Sequence, residues 1–284
     1  MRYMLNIGAA GPGRDPRTLA ALAALAEDSG WDALTLEDYI SYPSDQVVAT
    51  YDPWVCLAAM AVATTCLRLG TLVTPVSRRR PWKLASEAVT LDHLSGGRVI
   101  LGVGAGDGHE PSFTATVEPT DPRVLAERLD EGVALLAALW RGEAVSFQGT
   151  HYQVDGLRLW PPPVQQPRIP LWVGGNWLVQ GVRRRLVRWD GCCVYRGRPG
   201  TAAHQPMTAD DVRALVAWIA QERGTLEGYD VCIGGFERGP DTERERAYVR
   251  SVAEAGATWC QEWVPLGELE RTREVINRGP LRID

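Results

Sequence analysis

Apolar positions along the chain follow two alternating rhythms. Short runs dense in β-branched and aliphatic residues occur at 3–8, 32–36, 67–74, 98–103, 171–173, 191–195, 230–233 and 258–264, and read as strands. Between them, apolar residues recur every three or four positions, as on one face of a helix. Leu19, Leu22 and Leu25 form one such stripe, stopped by Gly30. Leu84, Ala88, Leu91 and Leu94 form another between Pro81 and Ser95, and Leu125, Leu129, Val133, Leu136 and Trp140 a third. Val179, Val182, Leu186 and Trp189 make a fourth, and residues 53–65, 242–256 and 266–277 are further helical stretches. Asp15-Pro16, Asp52-Pro53 and Asp121-Pro122 each set an N-cap before a first-turn proline, and Thr208-x-x-Asp211 caps a helix running to Arg223. Strand and helix alternate eight times, which predicts a single-domain (β/α)8 TIM barrel over residues 1–284. Residues 142–170 break the rhythm between the fourth helix and fifth strand. They predict an excursion with a hairpin around 145–154 and a rigid Trp160-Pro161-Pro162-Pro163 run.

Composition narrows the class. With 45% hydrophobic and 23% charged residues, the 284-residue chain is ordinary for a soluble enzyme. Its net charge of −5 argues against nucleic acid or an anionic membrane as partner. No leader-like stretch or 18-residue apolar run is present, so a cytoplasmic location is expected. Six cysteines without CxxC spacing predict small buried hydrophobes rather than metal ligands. No G-x-G-x-x-G follows a strand, so no built-in nicotinamide domain is expected.

The chemistry-bearing residues gather where strands end, the side on which parallel α/β folds bind ligands. Glu37-Asp38-Tyr39 ends the second strand, Thr74 the third, Gly104-Ala105-Gly106-Asp107 the fourth and Gly174-Gly175-Asn176 the fifth. Glycines there let backbone N–H groups approach a phosphate, though tight turns need glycines too. The carboxylates read either as a general base or holder of a substrate amine, or as parts of a solvated loop. His109 lies on the same loop as a candidate acid–base group, although a surface histidine is the more common fate. Arg78-Arg79-Arg80 suits a cofactor phosphate or a run of surface salt bridges.

Four longer motifs give a resemblance: Pro81-Trp82-Lys83-Leu84, Thr90-Leu91-Asp92-His93-Leu94-Ser95-Gly96-Gly97-Arg98, Leu101-Gly102-Val103-Gly104-Ala105-Gly106 and Trp172-Val173-Gly174-Gly175-Asn176. The chain resembles the bacterial luciferase-like flavin-dependent oxidoreductases along nearly its whole length. The likeness implies a barrel that binds FMN, or the deazaflavin coenzyme F420, at the strand ends, and a homodimer. It implies that Leu72-Val73-Thr74 supports the isoalloxazine ring on a bulge; on general odds every peptide there is trans. With the strand-end residues this makes Glu37, Thr74, Gly104, Ala105, Gly106, Asp107, Gly174, Gly175 and Asn176, with Arg78 and Arg80, the expected cofactor shell, and Asp38, Tyr39 and His109 the expected catalytic groups.

Departures from the family pattern sharpen the choice. Luciferases proper carry a catalytic histidine at the position of Asp38, and many deazaflavin enzymes carry one at Tyr39. Ala105 occupies the place of the luciferase phosphate-binding arginine. The first reading is a monooxygenase using reduced FMN, supplied by a separate flavin reductase, and oxygen on a small organic substrate. The alternative is a deazaflavin-dependent dehydrogenase or reductase, favoured by the arginine triplet and Asp107. A third is a flavin-binding barrel without turnover.

Overall fold

A computed structural model of the chain describes residues 1–197 and 204–283. Its elements alternate as the apolar rhythm predicts. In chain order they are β1 (Arg2–Gly8), α1 (Pro16–Asp28), β2 (Ala33–Glu37), α2 (Pro53–Ala63), β3 (Arg68–Pro75), α3 (Pro81–Ser95) and β4 (Val99–Gly104). Next come α4 (Pro111–Thr114), α5 (Pro122–Leu139), β5 (Ala144–Gln148), β6 (Gln153–Arg158), β7 (Leu171–Asn176), α6 (Gln180–Leu186) and β8 (Gly191–Gly197). Then follow β9 (His204–Gln205), α7 (Ala209–Arg223), β10 (Asp230–Phe236), α8 (Thr242–Glu254), β11 (Trp259–Val264) and α9 (Leu269–Asn277). The strands run in the order β10, β11, β1, β2, β3, β4, β7, β8, and β8 pairs back onto β10. Every one of those pairings is parallel, so the sheet closes as a (β/α)8 barrel.

Local chemistry explains the boundaries. Asp15, Asp52 and Asp121 accept N–H groups of the first turns of α1, α2 and α5, and Thr208 with Asp211 forms a capping box on α7. Gly96 ends α3 in the left-handed region, φ 67°, where a side chain would be costly. The excursion holds the antiparallel β5–β6 hairpin as expected.

Three details differ from the sequence reading. Leu94 is exposed, and α3 turns Asp92 inward in its place, where the carboxylate accepts the backbone and side-chain N–H groups of Gln165. Trp189 lies beyond the short α6, half-buried under Arg168. Residues 108–120, to which the apolar rhythm assigns no element, carry the short α4. Part of the stretch between the strand at 191–195 and the Thr208 cap falls outside the described residues.

Strand side chains alternate between the barrel interior and the helices. Met4, Ala33, Leu72, Ile100, Trp172, Cys232 and Trp259 pack together as an inner plug, separate from the larger strand–helix core. Cys56, Cys192, Cys232 and Cys260 are buried, as expected for small hydrophobes, but Cys66 is exposed and Cys193 half-buried.

The end opposite the strand carboxyl termini is fastened by two charges. Arg98 donates to Ala61 O, Thr64 O, Thr64 Oγ1, Leu67 O and Ser95 O, tying the ends of α2 and α3 to the start of β3. The Leu-Ser-Gly-Gly-Arg motif therefore serves architecture. The Glu27 carboxylate accepts the N–H groups of Thr65, Cys66 and Leu67 in the same loop. Partial burial alone would raise its pKa, but those donors outweigh it and draw it down to about 2. A depressed carboxylate stabilises the fold above its ordinary pKa, and that contribution fades as pH falls from about 4.5 toward 2. Glu27→Gln should therefore cost roughly 1–3 kcal/mol at pH 7, with wild type and variant converging near pH 2. Urea denaturation across that range checks it; a gap that does not close with acid would sink the assignment.

Candidate active site

The carboxyl ends of the strands open above the inner plug. Continuing the inward alternation upward from Met4, Ala33, Trp172 and Trp259 brings Asn6 and Gly8, Thr35 and Glu37, Gly174 and Asn176, and Gln261 and Trp263 to this mouth. Cys193 stands in register with Gly174, and its thiol donates to Gln261 Oε1 at 3.1 Å. Between β3 and β4 the register slips at Thr71–Thr74, where the chain bulges and the Leu72–Val73 peptide is cis, contrary to the general expectation. Val73 is half-buried and leans toward glycine on both sides. A Cβ at Gly104 would lie 2.7 Å from its Cγ2, and one at Gly174 2.5 Å from its Cγ1. The mouth is thus a small apolar platform walled by bare backbone, with polar side chains across from it. A flat ring edged by carbonyl and N–H groups fits such a cradle, whereas side chains at 104 and 174 would fill it.

The double glycine of β7 divides its roles. Gly174 faces the mouth, whereas a Cβ at Gly175 would meet Val182 of α6 at 3.0 Å, on the outer side. Asn176 donates to Gly197 O and accepts from the Leu178 N–H, so its side chain shapes the following turn. On β4's loop, Ala105 O accepts from Ser77 Oγ at 2.5 Å, and a Cβ at Gly106 would strike the Phe113 ring at 2.6 Å.

Asp38 is not where a catalytic acid would stand. Its neighbour Glu37 points inward, so Asp38 points outward and is buried. Its oxygens accept from Thr74 Oγ1 (2.8 Å), Trp54 Nε1 (3.2 Å), Arg79 Nη2 (2.8 Å) and Arg78 Nη2 (3.3 Å). Arg78 also donates to Glu110 Oε1 at 3.0 Å and to Ser112 Oγ. Burial alone would lower the Arg79 pKa, but the Asp38 carboxylate outweighs it and raises it. This charge cluster ties together the loops after β2, β3 and β4.

The arginine triplet is thereby split. Arg78 has 3% of its side chain exposed and Arg79 17%, and both are paired; Arg80 alone of the three faces solvent, near the Trp82 ring. Thr74 joins the same cluster, and its hydroxyl is held by Asp38 and Thr71. Trp54 is accordingly core.

Glu37 is the inward carboxylate. Its Oε1 accepts the Trp263 indole N–H at 3.2 Å. Burial raises its pKa, with the Trp263 hydrogen bond and the positive charge of Arg14 pulling the other way. Tyr39 and Tyr42 stand edge to face, ring centres 5.3 Å apart. Burial pushes both phenols up, with Glu37 reinforcing it, so they remain neutral donors. Asp107 is exposed on the rim, where its charge also raises Tyr39 and Tyr195 after burial has done so. His109 is exposed, and its backbone N–H donates to Asp107 Oδ1. Trp263, Gln261, Cys193 and Tyr42 escaped the sequence reading. The signal was there for two of them, since Gln261 and Trp263 continue the inward phase that Trp259 begins.

Among the described residues no group of three or more His, Cys, Asp or Glu could hold a metal ion, and no helix is long and apolar enough to cross a membrane. Comparison with known proteins extends the geometry. An F420-dependent hydroxymycolic acid dehydrogenase of Mycobacterium tuberculosis is 33% identical over 281 residues, covering 92% of this chain and 76% of that protein. An uncharacterised protein of the same species is 34% identical over 173 residues, and the alignment spans 60% of its length. The solved F420-dependent secondary alcohol dehydrogenase, in complex with an F420–acetone adduct, superposes with a TM-score of 0.78 over 99% of both chains at 16% identity, a likeness of fold. The family model for luciferase-like monooxygenases matches residues 4–236, and the chain belongs to that family.

Proposed function

We propose that this chain is a deazaflavin-dependent oxidoreductase, moving a hydride between coenzyme F420 and an alcohol or carbonyl carbon. The observation that carries the reading is the 33% identity to an F420-dependent dehydrogenase across 92% of the chain. It favours the alternative drawn from the sequence over the reduced-FMN monooxygenase placed first there. The support does not come from the arginine triplet, because Asp38 and Glu110 already engage Arg78 and Arg79.

When bound, the deazaflavin supplies a carbon that accepts or gives a hydride. The residues that would hold it are Val73 with Gly104 and Gly174, whose bare backbone admits a flat ring. Arg80 is the rim cation left for an anionic tail. The neutral phenols of Tyr39 and Tyr42 are donors for a substrate oxygen, and the indole of Trp263 with Val73 keeps the reacting region poor in water. This reading needs no separate flavin reductase, which belongs to the reduced-FMN alternative.

Titration of the apo-protein with F420 and with FMN, followed by fluorescence quenching, tests the reading. Tighter, saturable binding of F420 is the expected result. Saturation by FMN alone would restore the monooxygenase reading, and binding of neither would leave a barrel without this chemistry.

A further inference from the structure

We propose that Glu37 is the proton-carrying group of this site. The inference rests on the deazaflavin reading and names the group that would pair proton movement with hydride movement.

Glu37 is the last residue of β2 and faces the mouth, in register with Gly8 of β1. A Cβ added at Gly8 would sit 3.4 Å from Glu37 Oε2, so the absent side chain leaves that oxygen room. The other oxygen is occupied by the Trp263 indole. No cation lies within salt-bridge distance of either oxygen among the described residues, in contrast to Asp38 with its two arginines.

The groups facing Glu37 come from three segments. Trp263 donates from β11. Arg14, in the loop after β1, is fully buried, and its guanidinium is committed to Gly8 O, Pro265 O and Thr272 Oγ1; it contributes its field without a direct bond. Tyr39 and Tyr42, beyond β2, contribute phenols kept neutral by burial. Desolvation dominates this balance and raises the Glu37 carboxyl, while one neutral donor on Oε1 and the room beside Oε2 leave it a place to take up a proton. The other candidates fail on geometry. Asp38 is locked outside the mouth, Tyr39 holds its proton too tightly, and His109 stands on an exposed turn.

Oxidation of a secondary alcohol moves one proton and one hydride. The substrate O–H bond breaks and its proton forms the O–H bond of the Glu37 carboxyl. The C–H bond breaks and its electron pair leaves as hydride to the deazaflavin. The alcohol is oxidised to a ketone, the deazaflavin is reduced, and the proton later passes from Glu37 to water. Carbonyl reduction runs the same transfers backward.

Two measurements test this. In full-length protein labelled with ¹³C at glutamate Cδ, the Glu37 signal, identified by its loss in Glu37→Gln and Glu37→Asp, should titrate above the roughly 4.3 of a free glutamate. Trp263→Phe should raise that midpoint further, because the indole bond favours the ionised form. In the second, deazaflavin absorbance is followed with a panel of secondary alcohols. Glu37→Gln should lose about 10²–10⁴-fold in kcat while binding F420 within about twofold of wild type, and Glu37→Asp should recover part of the rate. A midpoint at or below that of free glutamate, or undiminished turnover in Glu37→Gln, overturns the assignment. Failure of wild type to bind F420 would instead overturn the cofactor reading, and the carboxyl midpoint would then decide the role of Glu37 alone.

Discussion

Asp38→Asn is expected to lose about 3–5 kcal/mol of folding stability, a larger effect than most single substitutions produce. The carboxylate is buried and accepts four side-chain donors, two of them guanidinium groups. Removing its charge while keeping its shape strands Arg78 and Arg79 in a poorly solvated place. Arg78 keeps Glu110 at 3.0 Å and Arg79 keeps Glu87 at 3.5 Å, which sets the loss toward the lower end of that range. Denaturant unfolding measures it. The double substitution Asp38→Asn with Arg79→Gln should cost less than the sum of the two, because both remove the same pairing. If Asp38→Asn unfolded at the wild-type midpoint yet failed to turn over substrate, Asp38 would return as an acid–base group.

Gly174→Val should abolish cofactor binding at concentrations that saturate wild type. The added Cβ would overlap Val73 Cγ1 at 2.5 Å, and the branched side chain would occupy the volume a ring needs. Overpacking of this kind also costs roughly 1–3 kcal/mol of stability, so binding must be compared below the variant's unfolding transition. Gly175→Ala is the control. Its φ of +143° disfavours any side chain, so the fold is weakened, but the new methyl would press Val182 on the outer side and leave the mouth open. Comparable binding losses in both variants would mean that β7 does not border the ligand.

The contrast between those neighbouring glycines marks what the sequence could and could not disclose. Alternating rhythms and Asp-Pro caps set out eight strands and their helices, because each depends on residues close together in the chain. Which of two adjacent residues faces the mouth depends on strand phase, and β2 hides it. Ala33, Leu34, Thr35 and Leu36 are all buried, on both faces, so the polar–apolar contrast that reveals phase is nearly absent. Thr35 was the one clue, an inward hydroxyl bonded to Asn6, and it puts Glu37 rather than Asp38 in the site. The arginine triplet misled for a related reason: composition shows charge but not counter-charge, and Glu110 lies far along the chain. In α3, an aspartate buried by Gln165 displaced Leu94 from the inward face by a contact 73 residues away in sequence.

For directed evolution of this barrel, the cluster around Asp38 divides the mutable positions into two kinds. Arg78, Arg79, Glu110 and Trp54 hold three loop stems in fixed relation, so libraries that randomise them would be dominated by clones that never accumulate. Beyond those stems, Asp107, His109 and Ile40 are exposed and take no part in the cluster. Diversity placed there can change which substrates the entrance admits while the scaffold keeps its margin.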